Sequence, residues 1–129
     1  DLIQAYNKSG HTQLSVIKID GPDISKYGVI SPGTSTNSVY GLIEKPEFKK
    51  APSNIGSIGR YVLSPDIFNI LRNQTAGSGG EIQLSDAINI QAKNGKVESL
   101  PLKGLRFDCG GIKGYLEAIH FIAKKQGYY

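Results

Sequence analysis

A chain of 129 residues with 39% hydrophobic and 20% charged residues has the composition of one globular domain with a real core, which excludes an intrinsically disordered segment. The formal net charge of +4 is mild, and Lys and Arg are dispersed, with only Lys49-Lys50 and Lys124-Lys125 as doublets, so no nucleic-acid-binding surface is expected. No apolar run reaches the length of a membrane span and no signal-peptide pattern opens the chain, while the single Cys109 rules out an internal disulfide and fits a reducing cytoplasm.

The opening DLIQAYNKSG is amphipathic at helical spacing, with Leu2, Ile3 and Tyr6 on one side and Gly10 as the C-terminal cap. Met is absent throughout, so this opening reads as the interior of a longer protein. Residues 13–19 form a predicted strand; Leu14 and Val16 point one way and Ile17 and Ile19 the other, the pattern of a strand inside a covered sheet. Asp20-Gly21-Pro22-Asp23 breaks it. Residues 27–30 are a short strand, 31–38 a polar loop, and 39–43 a returning strand, so the two strands are expected to form a hairpin. Gly28 inside a strand marks either close approach of a ligand or another backbone, or a bulge.

The returning strand stops at Glu44-Lys45-Pro46. An acid and a base at a strand end, fixed by proline, form either a binding turn or a solvated one. Glutamate there can accept hydrogen bonds from sugar hydroxyls, and lysine can place a mobile charge on a phosphate. Residues 55–63 are the next strand, and Gly56 and Gly59 within it leave room over the sheet. Ser64-Pro65-Asp66 is a helix start, with serine as N-cap and proline at the first helical position. Ile67, Phe68, Ile70 and Leu71 form its expected buried stripe. Residues 73–80 read as a functional loop. Glu81 opens a further helix that runs to the Asn94-Gly95 stop.

Residues 96–102 and 105–108 are predicted strands, the second ending in Asp108 before Cys109-Gly110-Gly111. Asp108 is placed to cap the final helix, 112–126, to hold a turn, or to bind Mg2+, which takes one or two carboxylates together with waters and substrate phosphates. Cys109 reads as a small buried hydrophobe. Ile112, Tyr115, Leu116, Ile119 and Ala123 recur at helical spacing and are expected to face the core. His11 and His120 are too isolated for a catalytic pair. The fold class is α/β, a mixed sheet flanked by helices.

Taken in order, Tyr27-Gly28-Val29, Glu44-Lys45-Pro46, Ser53-Asn54, Gly59-Arg60-Tyr61-Val62-Leu63, Gly80-Glu81-Ile82-Gln83-Leu84-Ser85-Asp86, Phe107-Asp108-Cys109-Gly110 and Gly114-Tyr115 carry a wider signal. Over essentially its whole length the chain resembles the C-terminal portion of the bacterial UTP–glucose-1-phosphate uridylyltransferases, within the sugar-phosphate nucleotidyltransferase superfamily. The resemblance implies residues 1–129 as the sugar-phosphate-binding part of a Rossmann-like catalytic domain. It implies that Gly28 meets the glucose ring through its backbone, Glu44 accepts sugar hydroxyls, and Lys45 contacts the phosphate of glucose 1-phosphate as the catalytic cation. It also implies that Gly59 and Tyr61 line the sugar pocket, that Glu81 is a pocket or supporting acid, and that Asp108 is one of two Mg2+-binding aspartates.

The same resemblance implies UTP and glucose 1-phosphate as substrates, a cytoplasmic location and a homo-oligomer. The family's glycine-rich phosphate loop has no counterpart here: Gly77 to Gly80 is not preceded by a strand and holds no Arg or Lys. The chain alone is therefore expected to be inactive, with cut sheet edges exposed and driving self-association. A thymidylyltransferase or another sugar-phosphate nucleotidyltransferase, and a non-catalytic sugar-phosphate-binding module, are the alternative readings.

Overall fold

The structure, a computed structural model, describes residues 1–77 and 80–129. The loop expected over residues 73–80 includes Ser78 and Gly79, which lie outside the described residues.

Five strands form one sheet: β1 (Thr12–Lys18), β2 (Gly28–Pro32), β3 (Val39–Glu44), β4 (Ile55–Val62) and β5 (Val97–Pro101), in the order β3-β2-β4-β1-β5. The expected hairpin is present as antiparallel β2–β3, and β4 runs antiparallel to both β2 and β1. Only β1–β5 is parallel, so the sheet is mixed. Among the described residues four α-helices accompany it: α1 (Leu2–Ser9), α2 (Ile67–Asn73), α3 (Leu84–Lys93) and α4 (Ile112–Lys125). Gly10 ends α1 in the left-handed conformation at φ 70°, as its position in the sequence requires.

The core lies between the sheet and the α2–α3 layer. Leu14 and Val16 of β1, Ile30 of β2, Leu42 of β3 and Val97 of β5 pack with Ile67, Ala87, Ile88 and Ala92. Burying each Leu or Ile side chain is worth roughly 2 kcal/mol, which exceeds what the helices' own propensities supply. β1 is buried from Thr12 to Val16, on both faces as its position away from the sheet edge demands, though Gln13 and Ser15 fill the second face.

Polar groups decide two boundaries. Thr12 Oγ1 donates to Gln91 Oε1 at 2.7 Å, and Gln91 Nε2 donates to Ser64 Oγ and Asp66 Oδ1, each at 2.9 Å. The Ser64 hydroxyl, committed to this buried network, does not cap a helix, and α2 begins only at Ile67. Asn89 of α3 accepts from the Leu42 N–H at 2.6 Å and donates to the Leu42 carbonyl at 2.8 Å, which satisfies one residue on the outer edge of β3. The loop after β2 also reaches β5: the Ser99 N–H donates to the Asn37 carbonyl at 2.8 Å.

Other expectations are corrected. Phe68 is 63% exposed, because α2 presents Ile67 and the partly buried Ile70 and Leu71 to the core. Glu81 precedes α3 rather than opening it. Residues 105–108 form no strand, and Cys109 is exposed. None of the α4 residues is buried; Ile112 is 82% exposed and Leu116 58%. Helical periodicity establishes that an apolar stripe exists, not what covers it.

Opposite the core, Glu98 of β5 gathers hydrogen bonds from Gln13 Nε2 at 2.7 Å and Ser9 Oγ at 3.0 Å, with His11 Nδ1 at 3.2 Å. Partial burial pushes the Glu98 carboxyl upward, but these hydrogen bonds and the His11 charge outweigh it and hold its pKa below the ordinary 4.5. A depressed carboxylate stabilises the fold above its ordinary pKa, and that contribution is lost as pH falls through the lowered value. Denaturant titration of wild type and Glu98→Gln at pH 6 and pH 3 is expected to show the larger acid loss in wild type; equal losses would show that Glu98 adds no acid sensitivity.

Candidate functional site

Three segments converge at one end of the hairpin. β2 begins at Gly28, β3 ends at Glu44, and β4 passes between Ser57 and Tyr61. The segment before α4 brings Arg106 and Asp108 to the same place. Together with Lys26, Tyr27 and Ile58 they line an open cavity of about 240 Å³.

Gly28 sits in register with Glu44 on one side and Ser57 on the other, with no bulge at either pairing. The bulge reading of this glycine is therefore not met. A Cβ at Gly28 would lie 3.0 Å from Glu44 Oε2 and 3.1 Å from Leu42 Cδ1, tighter than ordinary contact. Gly59 has a different reason: its φ of 72° lies where three β4 residues, 58–60, face a single residue of β1, so it makes a bulge. The room expected over Gly56 is already taken by Ile19 and Tyr27.

Charges at the cavity are two of each sign: Lys26 and Arg106 against Glu44 and Asp108. Arg106 Nη1 donates to Tyr27 Oη at 2.9 Å, its guanidinium carbon is 5.2 Å from the Tyr27 ring centroid, and Nη2 is 3.8 Å from Asp108 Oδ2. Lys26 pairs with Asp23 at 2.8 Å, and that hydrogen bond raises its ammonium above the ordinary 10.5. Asp108 Oδ1 accepts the Gly110 N–H at 3.1 Å, so the turn role anticipated for Asp108 is present alongside an exposed carboxylate.

Of the residues singled out from the sequence, Gly28, Glu44, Gly59, Tyr61 and Asp108 are brought together. Lys45 is exposed beside the cavity, not in its lining; its N–H donates to the Tyr27 carbonyl at 3.0 Å and its φ is 43°. Glu81 is exposed on the approach to α3 and is not brought to this cavity. Lys26, Ser57 and Arg106 are the polar residues missed. Arg106 was legible as the i−2 neighbour of Asp108 in a predicted strand; Ser57 was not, because its place beside Gly28 depends on strand register.

A five-stranded mixed sheet with these features defines a class: the chain belongs to the nucleotidyl transferase family, whose profile matches residues 1–125. Within it, the chain is 43% identical over 123 residues to a UTP–glucose-1-phosphate uridylyltransferase of Pseudomonas aeruginosa, covering 93% of this chain and 44% of that protein. Among solved structures it is similar to apo UDP-glucose pyrophosphorylase, with a TM-score of 0.86 at 37% identity over 96% of this chain and 46% of the other. It is also similar to UDP-glucose pyrophosphorylase complexed with UDP-glucose, with a TM-score of 0.84 at 38% identity over 95% and 48% of the two chains. The chain thus spans less than half the length of the relatives it matches. Among the described residues, no helix is long and apolar enough to cross a membrane.

Proposed function

We propose that residues 1–129 are the sugar-phosphate-binding portion of a UTP–glucose-1-phosphate uridylyltransferase. The observation that carries this reading is the convergence of Gly28, Glu44, Gly59, Tyr61 and Asp108 on one cavity, from separate stretches of sequence. A phosphate oxygen of glucose 1-phosphate attacks the α-phosphorus of UTP in line. The new P–O bond gives UDP-glucose, and pyrophosphate leaves with the electrons of the broken P–O bond.

In this reading the sugar lies over the Gly28 backbone with Tyr61 and Gly59 at its border, and Glu44 accepts its hydroxyl protons. The Glu44 carboxylate is free to do so, since it makes no ion pair among the described residues. Lys45, exposed at the mouth, reaches the phosphate with its flexible stem. Catalysis is then positioning and charge stabilisation rather than covalent chemistry.

The family generally uses a divalent metal, and the residues here fit Mg2+ as part of a site. Asp108 offers one exposed carboxylate, and among the described residues no group of three or more His, Cys, Asp or Glu forms a complete cage. Mg2+ accepts such a set, taking few carboxylates and completing its shell with phosphates and water. When bound it would neutralise charge on the transferring phosphate. A cytoplasmic location follows from the proposed substrates. The uncovered apolar residues of α4 give the expected self-association a surface.

The test is pyrophosphate release from UTP, or from dTTP, with glucose 1-phosphate. The full polypeptide carrying this segment is expected to form UDP-glucose with UTP preferred, and residues 1–129 alone to form none. A full polypeptide inactive with UTP, or turnover by the 129-residue chain alone, would overturn the corresponding part of the reading.

A further inference from the structure

Ser57 is 7% exposed, and its hydroxyl is a buried polar group with no hydrogen-bond partner among the described residues. It also lines the cavity. Such groups are rare because burial strips them of water without compensation, so each one asks for a reason. The register supplies it. Glu44, Gly28 and Ser57 are direct cross-strand neighbours, forming one row across β3, β2 and β4. Directly opposed residues project to the same face of a sheet. The middle residue carries no side chain, and the Glu44 carboxylate leans over it, with Oε2 3.0 Å from where a Cβ of Gly28 would stand.

Adjacent strands lie about 4.8 Å apart, which separates the backbones of Glu44 and Ser57 by roughly 9–10 Å. A polyol ring resting on top of this row would meet a polar group at each end. The two ends differ in chemistry: ionised glutamate only accepts, whereas serine both donates and accepts.

We propose that Ser57 is a specificity-determining residue whose hydroxyl hydrogen-bonds one ring hydroxyl of the sugar, on the side of the ring away from Glu44. This rests on the sugar-phosphate reading of the cavity. A site built to pair with a substrate hydroxyl rejects analogues lacking it, because its own polar group then stays buried and unpaired.

The test compares wild type and Ser57→Ala in the full polypeptide, using kcat/KM for glucose 1-phosphate and for its 2-, 3-, 4- and 6-deoxy analogues, with the ligand-free melting temperature as a second readout. Ser57→Ala is expected to lose about tenfold on glucose 1-phosphate. On one deoxy analogue the two proteins are expected to agree within about twofold, since the partner hydroxyl is already missing there. The ligand-free melting temperature is expected to hold or rise, because the variant removes an unpaired buried hydroxyl. A uniform loss across all sugars, or a fall in ligand-free melting temperature with no sugar discrimination, would assign Ser57 a structural role and overturn the proposal. Indistinguishable kinetics on every sugar overturns it while leaving the function standing; a wild type that turns over no sugar phosphate overturns both.

Discussion

Asp108→Asn in the full polypeptide is expected to lower Mg2+-dependent formation of UDP-glucose by about 10²–10³-fold, the order seen when a group stabilising transition-state charge is removed. The amide is nearly isosteric and its Oδ1 still accepts the Gly110 N–H, so the turn before α4 survives. The contact with Arg106 spans 3.8 Å on an exposed side chain and contributes little to stability. What disappears is the negative charge a divalent cation needs. The melting temperature is therefore expected to stay within about 2 °C of wild type. Undiminished turnover would make Asp108 a turn residue only.

Gly114→Ala is expected to be nearly as damaging, against the usual sign of that substitution. Alanine within a helix normally stabilises by up to about 1 kcal/mol over glycine. Here a Cβ would press on the Asp108 carbonyl oxygen and lie 2.8 Å from its carbonyl carbon and 3.2 Å from its nitrogen. These are backbone atoms, so no rotamer change relieves the clash. The first turn of α4 and the segment carrying Asp108 must separate, at a cost of about 1–3 kcal/mol that offsets the propensity gain. Displacing Asp108 by about 1 Å is expected to reduce kcat about 10²-fold. Steady-state kinetics with thermal unfolding decides it: a more stable, fully active variant would show that the glycine is not needed for Asp108.

The two substitutions probe one position by different routes. Asp108→Asn changes charge and leaves geometry; Gly114→Ala leaves charge and changes geometry. If both lower turnover while only Gly114→Ala alters stability, Asp108 acts through its negative charge, held at its place beside the cavity.

Much of this was legible along the chain. The hairpin of β2 and β3 follows from two short β-branched runs around a polar loop, and the end of α1 from Gly10. Glu44 and Asp108 stood out as acids at breaks in extended segments, and both line the cavity. The misses share a cause. Ser64 has the sequence signature of an N-cap, but a buried hydrogen-bond network with Thr12, Gln91 and Asp66 takes its hydroxyl. Phe68 and the stripe on α4 are apolar at the right spacing, yet exposed. Cys109 has the character of a core residue and sits on the surface. Each turns on which distant residue arrives nearby.

The sequence by itself determined the alternation of strands and helices, the family and the candidate acids, because these depend on local periodicity, backbone preference and an ordered set of short motifs. Only the tertiary structure decided that Gly28 lies between Glu44 and Ser57, that Arg106 holds Tyr27 beside Asp108, and that Lys45 and Glu81 stand outside the cavity lining. Those facts are set by strand register and loop path, where a shift of one residue sends a side chain to the opposite face. No local pattern carries that information.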